Sequence, residues 1–291
     1  MMPTATRILA PELVARLGRF RLGGRRRVEG RFAGGHASRR FGSSVEFADH
    51  RAYIAGDDPR RVDWHAHARI GRLLVKLFEA EDEAALRVVV DASASMGFGA
   101  KLDRARQVAA ALVAVAAVGG DRVRVLIAGD GVDPGPWYRG ASALPAAELR
   151  LLRAGATGRA DLPSALRRAR AEGPRGPIVL VSDLLFDGWE DTVRVLGAGD
   201  ADAALVHVLG RADVDPDLDG DLRLVDSETG QEREVGVSGD VRAAYAATVE
   251  RWLDDVARRC GAAGVALARL HDDEPVEDLL ALVLPRLGVI A

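Results

Sequence analysis

With one cysteine, Cys260, in 291 residues, no intrachain disulfide can form, and stability rests on packing and hydrogen bonds. That usage fits a reducing compartment, and Cys260 reads as a packing residue at a helix end rather than a reactive thiol. No apolar run approaches the roughly 18 residues that a membrane helix needs, so no membrane insertion is expected. The opening Met1-Met2-Pro3-Thr4 lacks an apolar signal core, which makes a cytoplasmic location the expectation. Also missing are a Walker or Rossmann glycine fingerprint and a Gly-x-Ser-x-Gly elbow; Gly34-Gly35 and Gly129-Asp130-Gly131 are too short to cradle phosphate. Any ATP hydrolysis is therefore expected from a partner. Lysine is almost absent: of 40 basic residues only Lys76 and Lys101 are lysine.

What is present points to a globular chain, 48% hydrophobic and 29% charged, long enough for one large α/β domain plus an appended segment. The charge is uneven. Residues 1 to 76 carry 16 Lys+Arg against 7 Asp+Glu, and the remainder carries 24 against 36. A basic front is compatible with a nucleic-acid or phosphate surface, or with two segments packing through opposite charges.

Residues 3 to 22 have the apolar spacing of an amphipathic helix, and Gly23 to Arg40 read as a loop or arm without periodicity. From Ser43 to Phe78 short extended pieces are broken by turns such as Gly56-Asp57-Asp58-Pro59. We therefore divide the chain into a basic, strand-rich or irregular appendage over 1–80 and an α/β domain over 81–291. After Arg87, apolar strands at 86–91, 122–128, 177–182, 203–209 and 264–269 alternate with helices at about 101–118, 145–153, 162–172, 189–197 and 239–260. A closing helix is expected at 275–287 and an inserted β-hairpin at about 222–237. This alternation predicts an open, mostly parallel sheet with helices on both faces.

The strand 86–91 ends in Asp91-Ala92-Ser93-Ala94-Ser95. In extended backbone, side chains at alternate positions point the same way, so Asp91, Ser93 and Ser95 can converge on a hard, oxygen-seeking ion such as Mg²⁺. One carboxylate and two hydroxyls leave a divalent ion under-neutralised, which favours an acidic ligand from another molecule. Asp183 ends a second strand, and ligands of open parallel sheets bind beyond such carboxyl ends. Otherwise these residues hydrogen-bond one another and cap the next helix.

Asp-x-Ser-x-Ser after the first strand and an Asp after a later one resemble the metal-ion-dependent adhesion site of the von Willebrand factor A domain. The segment Ser44 to Trp64, with Ala68-Arg69, Leu74 to Glu79 and Leu224 to Gly230, is similar to the bacterial family called domain of unknown function 58. That resemblance implies a von Willebrand A-like (Rossmann-like) core. It also implies an adaptor role beside a MoxR-type AAA+ ATPase, with a protein client. In the adhesion site a threonine from a Gly-x-Thr-Asp-Leu loop completes the coordination. Here Ala160 stands in that place, leaving Thr157, Asp161 or water to substitute.

Asp57, Asp58, Arg60, Asp63, Trp64 and Arg69 form a dense charged set around an indole, either receiving a partner's phosphate or acidic tail or locking the appendage in place. His65-x-His67 imitates half a zinc site, and Asp215-x-Asp217-x-Asp219-Gly220 with Asp226 imitates a calcium loop. The leading expectation is a non-enzymatic interaction module. The alternatives are a metal-dependent phosphoester hydrolase using Asp91 and Asp183, and a nucleic-acid binder using the basic front.

Overall fold

The computed structural model describes residues 7–22, 47–57, 59–78, 85–199, 202–274 and 289–290. The chain divides into two compact units, Met1–Arg25 with Ala84–Ala291, and Arg26–Glu83.

The first unit opens with helix α1 (Pro11–Leu17) and strand β1 (Arg21–Leu22). The helix is shorter than the apolar spacing over 3–22 suggested. Pro11 starts it, where a missing amide hydrogen costs nothing, and Gly18 ends it. Leu9, Leu13 and Leu17 are buried in the core, so this segment belongs with the sheet rather than with the appendage. The second unit contains β2 (Phe47–Ala52), α2 (Trp64–Ile70) and β3 (Leu74–Phe78), with β2 and β3 paired antiparallel. Helix α2 replaces the extended segment expected there. Asp63 accepts from the His65 and Ala66 amides at its start, and Gly71 closes it at φ +67°.

The chain then runs β4 (Ala85–Asp91), α3 (Lys101–Gly119), β5 (Arg122–Gly129), β6 (Gly131–Asp133), β7 (Trp137–Tyr138), α4 (Ala143–Arg153) and α5 (Leu162–Ala171). It continues through β8 (Ile178–Ser182), α6 (Trp189–Gly197), β9 (Ala203–Leu209) and α7 (Arg211–Val214). The hairpin β10 (Gly220–Val225) and β11 (Glu232–Val237) follows, then α8 (Gly239–Ala262), β12 (Val265–His271) and β13 (Val289–Ile290), which pairs with β1. The expected helix at 275–287 and the arm at 23–40 lie outside the described residues.

The main sheet has the order β12-β9-β8-β4-β5-β6, with β7 also on β5; β12, β9, β8, β4 and β5 are mutually parallel, while β6 and β7 add antiparallel. Strand β4 is buried along its whole length, as an apolar run with helices on both faces requires. Leu86, Val88 and Val90 pack with α1, α3 and α4, whereas Val89 packs with α5, α6 and α8. The α3 stretch Val108 to Ala116 is buried all round, and its many alanines let it sit close to the strands. The chain leaves β4 for β5 on one side and later returns to β8 on the other. This order makes the gap between the carboxyl ends of β4 and β8 the topological switch point.

Candidate functional site

Four polar side chains meet at that gap. Asp91 ends β4 with both carboxylate oxygens committed: Oδ1 accepts from the Ser93 amide at 2.9 Å, and Oδ2 from the Ser182 hydroxyl at 2.6 Å. The hydroxyls of Ser93 and Ser95 lie 3.1 Å apart, and Ser95 donates to Asp183 Oδ1 at 3.2 Å. Asp91 and Asp183 are fully buried, and Ser93 and Ser95 nearly so. The residues that the sequence singled out as ion ligands, separated by as many as 92 positions, do come together.

The backbone after β8 is bent to achieve this. Leu184 has φ +53°, the only non-glycine positive φ among the described residues, a conformation that costs about 1–2 kcal/mol. That turn lets the Leu184 amide reach Ser182 Oγ at 3.0 Å and the Leu185 amide reach Asp183 Oδ1 at 3.1 Å. The strained turn is thus held by hydrogen bonds beside a buried carboxylate.

A cation that sequence reasoning missed already occupies part of this gap. Lys101 begins α3, and its Nζ lies 2.8 Å from Asp183 Oδ2 and 2.8 Å from Asp213 Oδ2, with the side chain only 1% exposed. An ammonium in a helix's first turn faces the positive end of the dipole, so its two carboxylates must outweigh both that and desolvation. They do: burial pulls Lys101 down, but Asp183 and Asp213 more than offset it and hold it above its ordinary value. A compact ammonium can bridge two carboxylates where a planar guanidinium needs a fork-shaped partner. In a chain whose basic residues are almost all arginine, that lysine was the available signal. Burial, then the charge of Asp183, raises Asp91 above the ordinary carboxylate range, opposed by the bonds from Ser182 and Ser93. His207, on β9 beside Ser182, donates from Nε2 to the Asp183 carbonyl at 2.9 Å, and burial lowers it to about 4, so it is neutral near pH 7.

The third loop of the site is held by backbone. The Thr157 amide donates to the Ala92 carbonyl, and the Ala94 amide to that of Gly158, both at 2.9 Å. Gly158, at φ +63°, passes so close to Asp130 that an added Cβ would lie 2.8 Å from its Cβ. Thr157 is exposed and borders a shallow hollow of about 420 Å³ with Ala92, Gly129 and Asp130. Asp161 is spent as the α5 cap, accepting from the Ser164 amide. Ala160 is buried and brings no donor.

The profile of the family described as "Protein of unknown function DUF58" matches residues 49–252. The chain belongs to the DUF58 family. Uncharacterized proteins of Mycobacterium bovis and Mycobacterium tuberculosis share this DUF58 sequence at 32% identity over 288 residues, covering 95% of this chain and 90% of theirs. The solved conserved hypothetical protein BatB from Bacteroides thetaiotaomicron is similar at TM-score 0.42 and 12% identity, over 70% of this chain and 98% of its own. An aerotolerance-related membrane protein from Bacteroides fragilis gives 0.42 and 14% over the same shares. Among the described residues of this DUF58 chain, no helix is long and apolar enough to cross a membrane.

The charged set of the second unit is arranged differently from the sequence picture. Asp57 pairs bidentately with Arg51 and accepts the Ile54 amide; Asp63 pairs with His50 and caps α2. Arg60, Trp64 and Arg69 are exposed, and Asp58 lies outside the described residues. His65 and His67 sit on helix α2, where positions two apart point to different sides, so they do not share a ligand direction. Asp226 is spent on the hairpin turn, accepting the Glu228 and Thr229 amides, and Asp219 pairs with Arg242. Among the described residues no group of three His, Cys, Asp or Glu side chains is placed to hold a metal, so ligation at the sheet edge would depend on the serine hydroxyls.

Proposed function

We propose that this chain is a non-enzymatic interaction module with a von Willebrand A-like domain. The carboxyl edge between β4 and β8 binds Mg²⁺ and, through it, an acidic group of a partner. A MoxR-type AAA+ ATPase or its client is the partner this reading favours. The observation that carries it is the convergence of Ser93, Ser95 and Asp183 on one another at the switch point, with Asp91 beneath them. The donor set suits a hard cation: it is all oxygen, with neutral hydroxyls that can turn their lone pairs outward. Lys101 takes one oxygen of Asp183 and leaves the other facing Ser95. Because Lys101 already neutralises part of the local charge, a bound divalent ion would retain a need for anionic ligands. The burial of Asp91 and Asp183, with every oxygen hydrogen-bonded, gives the hydrolase alternative no exposed general base.

The test is a pull-down of a MoxR-type ATPase with and without Mg²⁺, comparing wild type with Asp91→Asn and Ser95→Ala. Asp91→Asn keeps the shape of the side chain and Ser95→Ala removes only the hydroxyl that meets Ser93 and Asp183, and circular dichroism melts establish that each variant is folded. Mg²⁺-dependent capture should fall at least tenfold in both. Equal capture by all three proteins, or capture unaffected by a chelator, removes the metal from the reading.

A further inference from the structure

The hairpin β10–β11 forms a two-stranded sheet of its own, and among the described elements its strands pack chiefly on each other. Such a sheet is marginal in water unless something covers its apolar side. The register sets Leu222 opposite Val235 and Gly220 opposite Val237, and alternation along the strand puts Leu224 on the same side. Leu222, Val235 and Val237 are half-buried, and Leu224 is 42% exposed. The surface continues onto α8. That helix packs on α6 and β12, and its buried side chains, Val256 and Cys260, lie in the second half. In the first half Val241, Ala244, Tyr245 and Thr248 have the spacing of one helix face, and all four are exposed. Ala243, Ala244, Ala246 and Ala247 are strong helix formers, so this half keeps its shape without a packing partner.

Hydrogen bonds fix the two parts together: Arg242 donates to the Leu218 carbonyl and to Asp219, next to the start of β10, and the Tyr245 hydroxyl donates to the Asp213 carbonyl. A preformed surface lowers the ordering cost of binding, and a held tyrosine ring is the kind of side chain on which interfaces concentrate their energy. Charge decides what can cover it. Residues 215–242 hold nine Asp+Glu against three Arg. Two of those arginines are spent locally, Arg223 on Glu232 at 3.3 Å and Arg242 on Asp219 at 3.2 Å. Asp215, Asp217, Asp221, Glu234 and Asp240 are exposed and have no cationic partner among the described residues. Nucleic acid and anionic membranes are repelled by such a surface.

We propose that the apolar side of the hairpin and the first half of α8 form a docking surface for a cationic, apolar segment of another protein. Lysine or arginine side chains of that segment answer the unpaired carboxylates, and its apolar side chains cover Leu224, Val241 and Tyr245. This contact needs no ion, and it takes charge of the sign opposite to that ascribed to the sheet edge.

Fluorescence anisotropy of the full chain with three labelled peptides tests this: one alternating leucine with lysine, one leucine with glutamate, and one serine with lysine. The proteins are wild type, Leu224→Ser with Val241→Ser, Asp221→Asn with Glu234→Gln and, as a control, Leu149→Ser, a residue on α4 that is 52% exposed. All the replaced side chains are exposed, and circular dichroism establishes that each variant is folded. Wild type and Leu149→Ser should bind the leucine–lysine peptide, and each double variant should bind it about fivefold more weakly or worse. Amide exchange over 220–225 and 241–248 should slow on adding that peptide to wild type. No binding of the leucine–lysine peptide, equal binding by all four proteins, or equal binding of either other peptide overturns the assignment. So does a self-associated wild type in sedimentation that Leu224→Ser with Val241→Ser makes monomeric, because the occupant is then a second copy.

Discussion

The charged side chains of residues 47–78 and those at the ends of β4 and β8 use the same chemistry in opposite ways. In the smaller unit the contacts among described charged side chains close over a short stretch of chain: Arg51 with Asp57, His50 with Asp63, and Asp63 with the amides of the helix it starts. At the sheet edge Asp91 reaches Ser182, Ser95 reaches Asp183 and Lys101 reaches Asp183, spanning 91, 88 and 82 positions. The local pairs substitute for a core in a small, irregular unit. The long-range ones form inside an existing core, where hydrophobic residues would stabilise as well or better. These polar groups are kept where packing does not need them, beside Leu184 with its left-handed backbone.

This contrast can be broken by substitution. Lys101→Met should have the largest effect, because it leaves Asp183 and Asp213 without their shared cation. We expect a loss of about 3–5 kcal/mol in urea unfolding of the larger unit; a loss below about 1 kcal/mol would mean that the triad is dispensable. Asp63→Ala removes a helix cap and an ion-pair partner from the smaller unit and should cost about 1–2 kcal/mol. Its signature is faster amide exchange confined to 64–70, and a shifted transition for the main sheet would erase the distinction between local and long-range polar contacts. The smallest effect is the acid response of Asp57. The hydrogen bond from Arg51, then that from the Ile54 amide, lowers its carboxyl from 3.8 to about 2. Since the folded value is the lower one, its contribution is complete above pH 3.8 and disappears as pH falls through about 2. Carboxylate NMR should place the Asp57 midpoint near 2, and one near 3.8 would show that the Arg51 contact does not hold in solution.

The sheet was legible because Leu86 to Val90 form an unbroken apolar run ending in Asp91, and alternation with helices leaves few ways to arrange such strands. Asp183 was legible for the same reason, as the polar end of another such run. Strands β6 and β7 were not, because Gly131, Pro134 and Pro136 read as loop; they are short edge additions paired antiparallel to β5. Helix α2 was hidden by the surrounding turn signals, although Asp63 and Gly71 bracket it with a cap at each end. Lys101 could not be assigned from spacing. It needs Asp213 after β9, a contact that exists only once the strands are ordered. Ala160 was legible as a departure from the Gly-x-Thr-Asp-Leu pattern, and it is buried.

Helix α8 follows β11 with only Ser238 between them, and its 24 residues make a rod of about 36 Å. Its buried side chains, Val256 and Cys260, lie toward the far end, whereas the near half is exposed and is tied down by Arg242, which donates to the Leu218 carbonyl and Asp219, and by the Tyr245 hydroxyl, which donates to the Asp213 carbonyl at 2.7 Å. The hairpin and the helix that follows it are thus tied, through Tyr245, to the very residue that shares the lysine with Asp183.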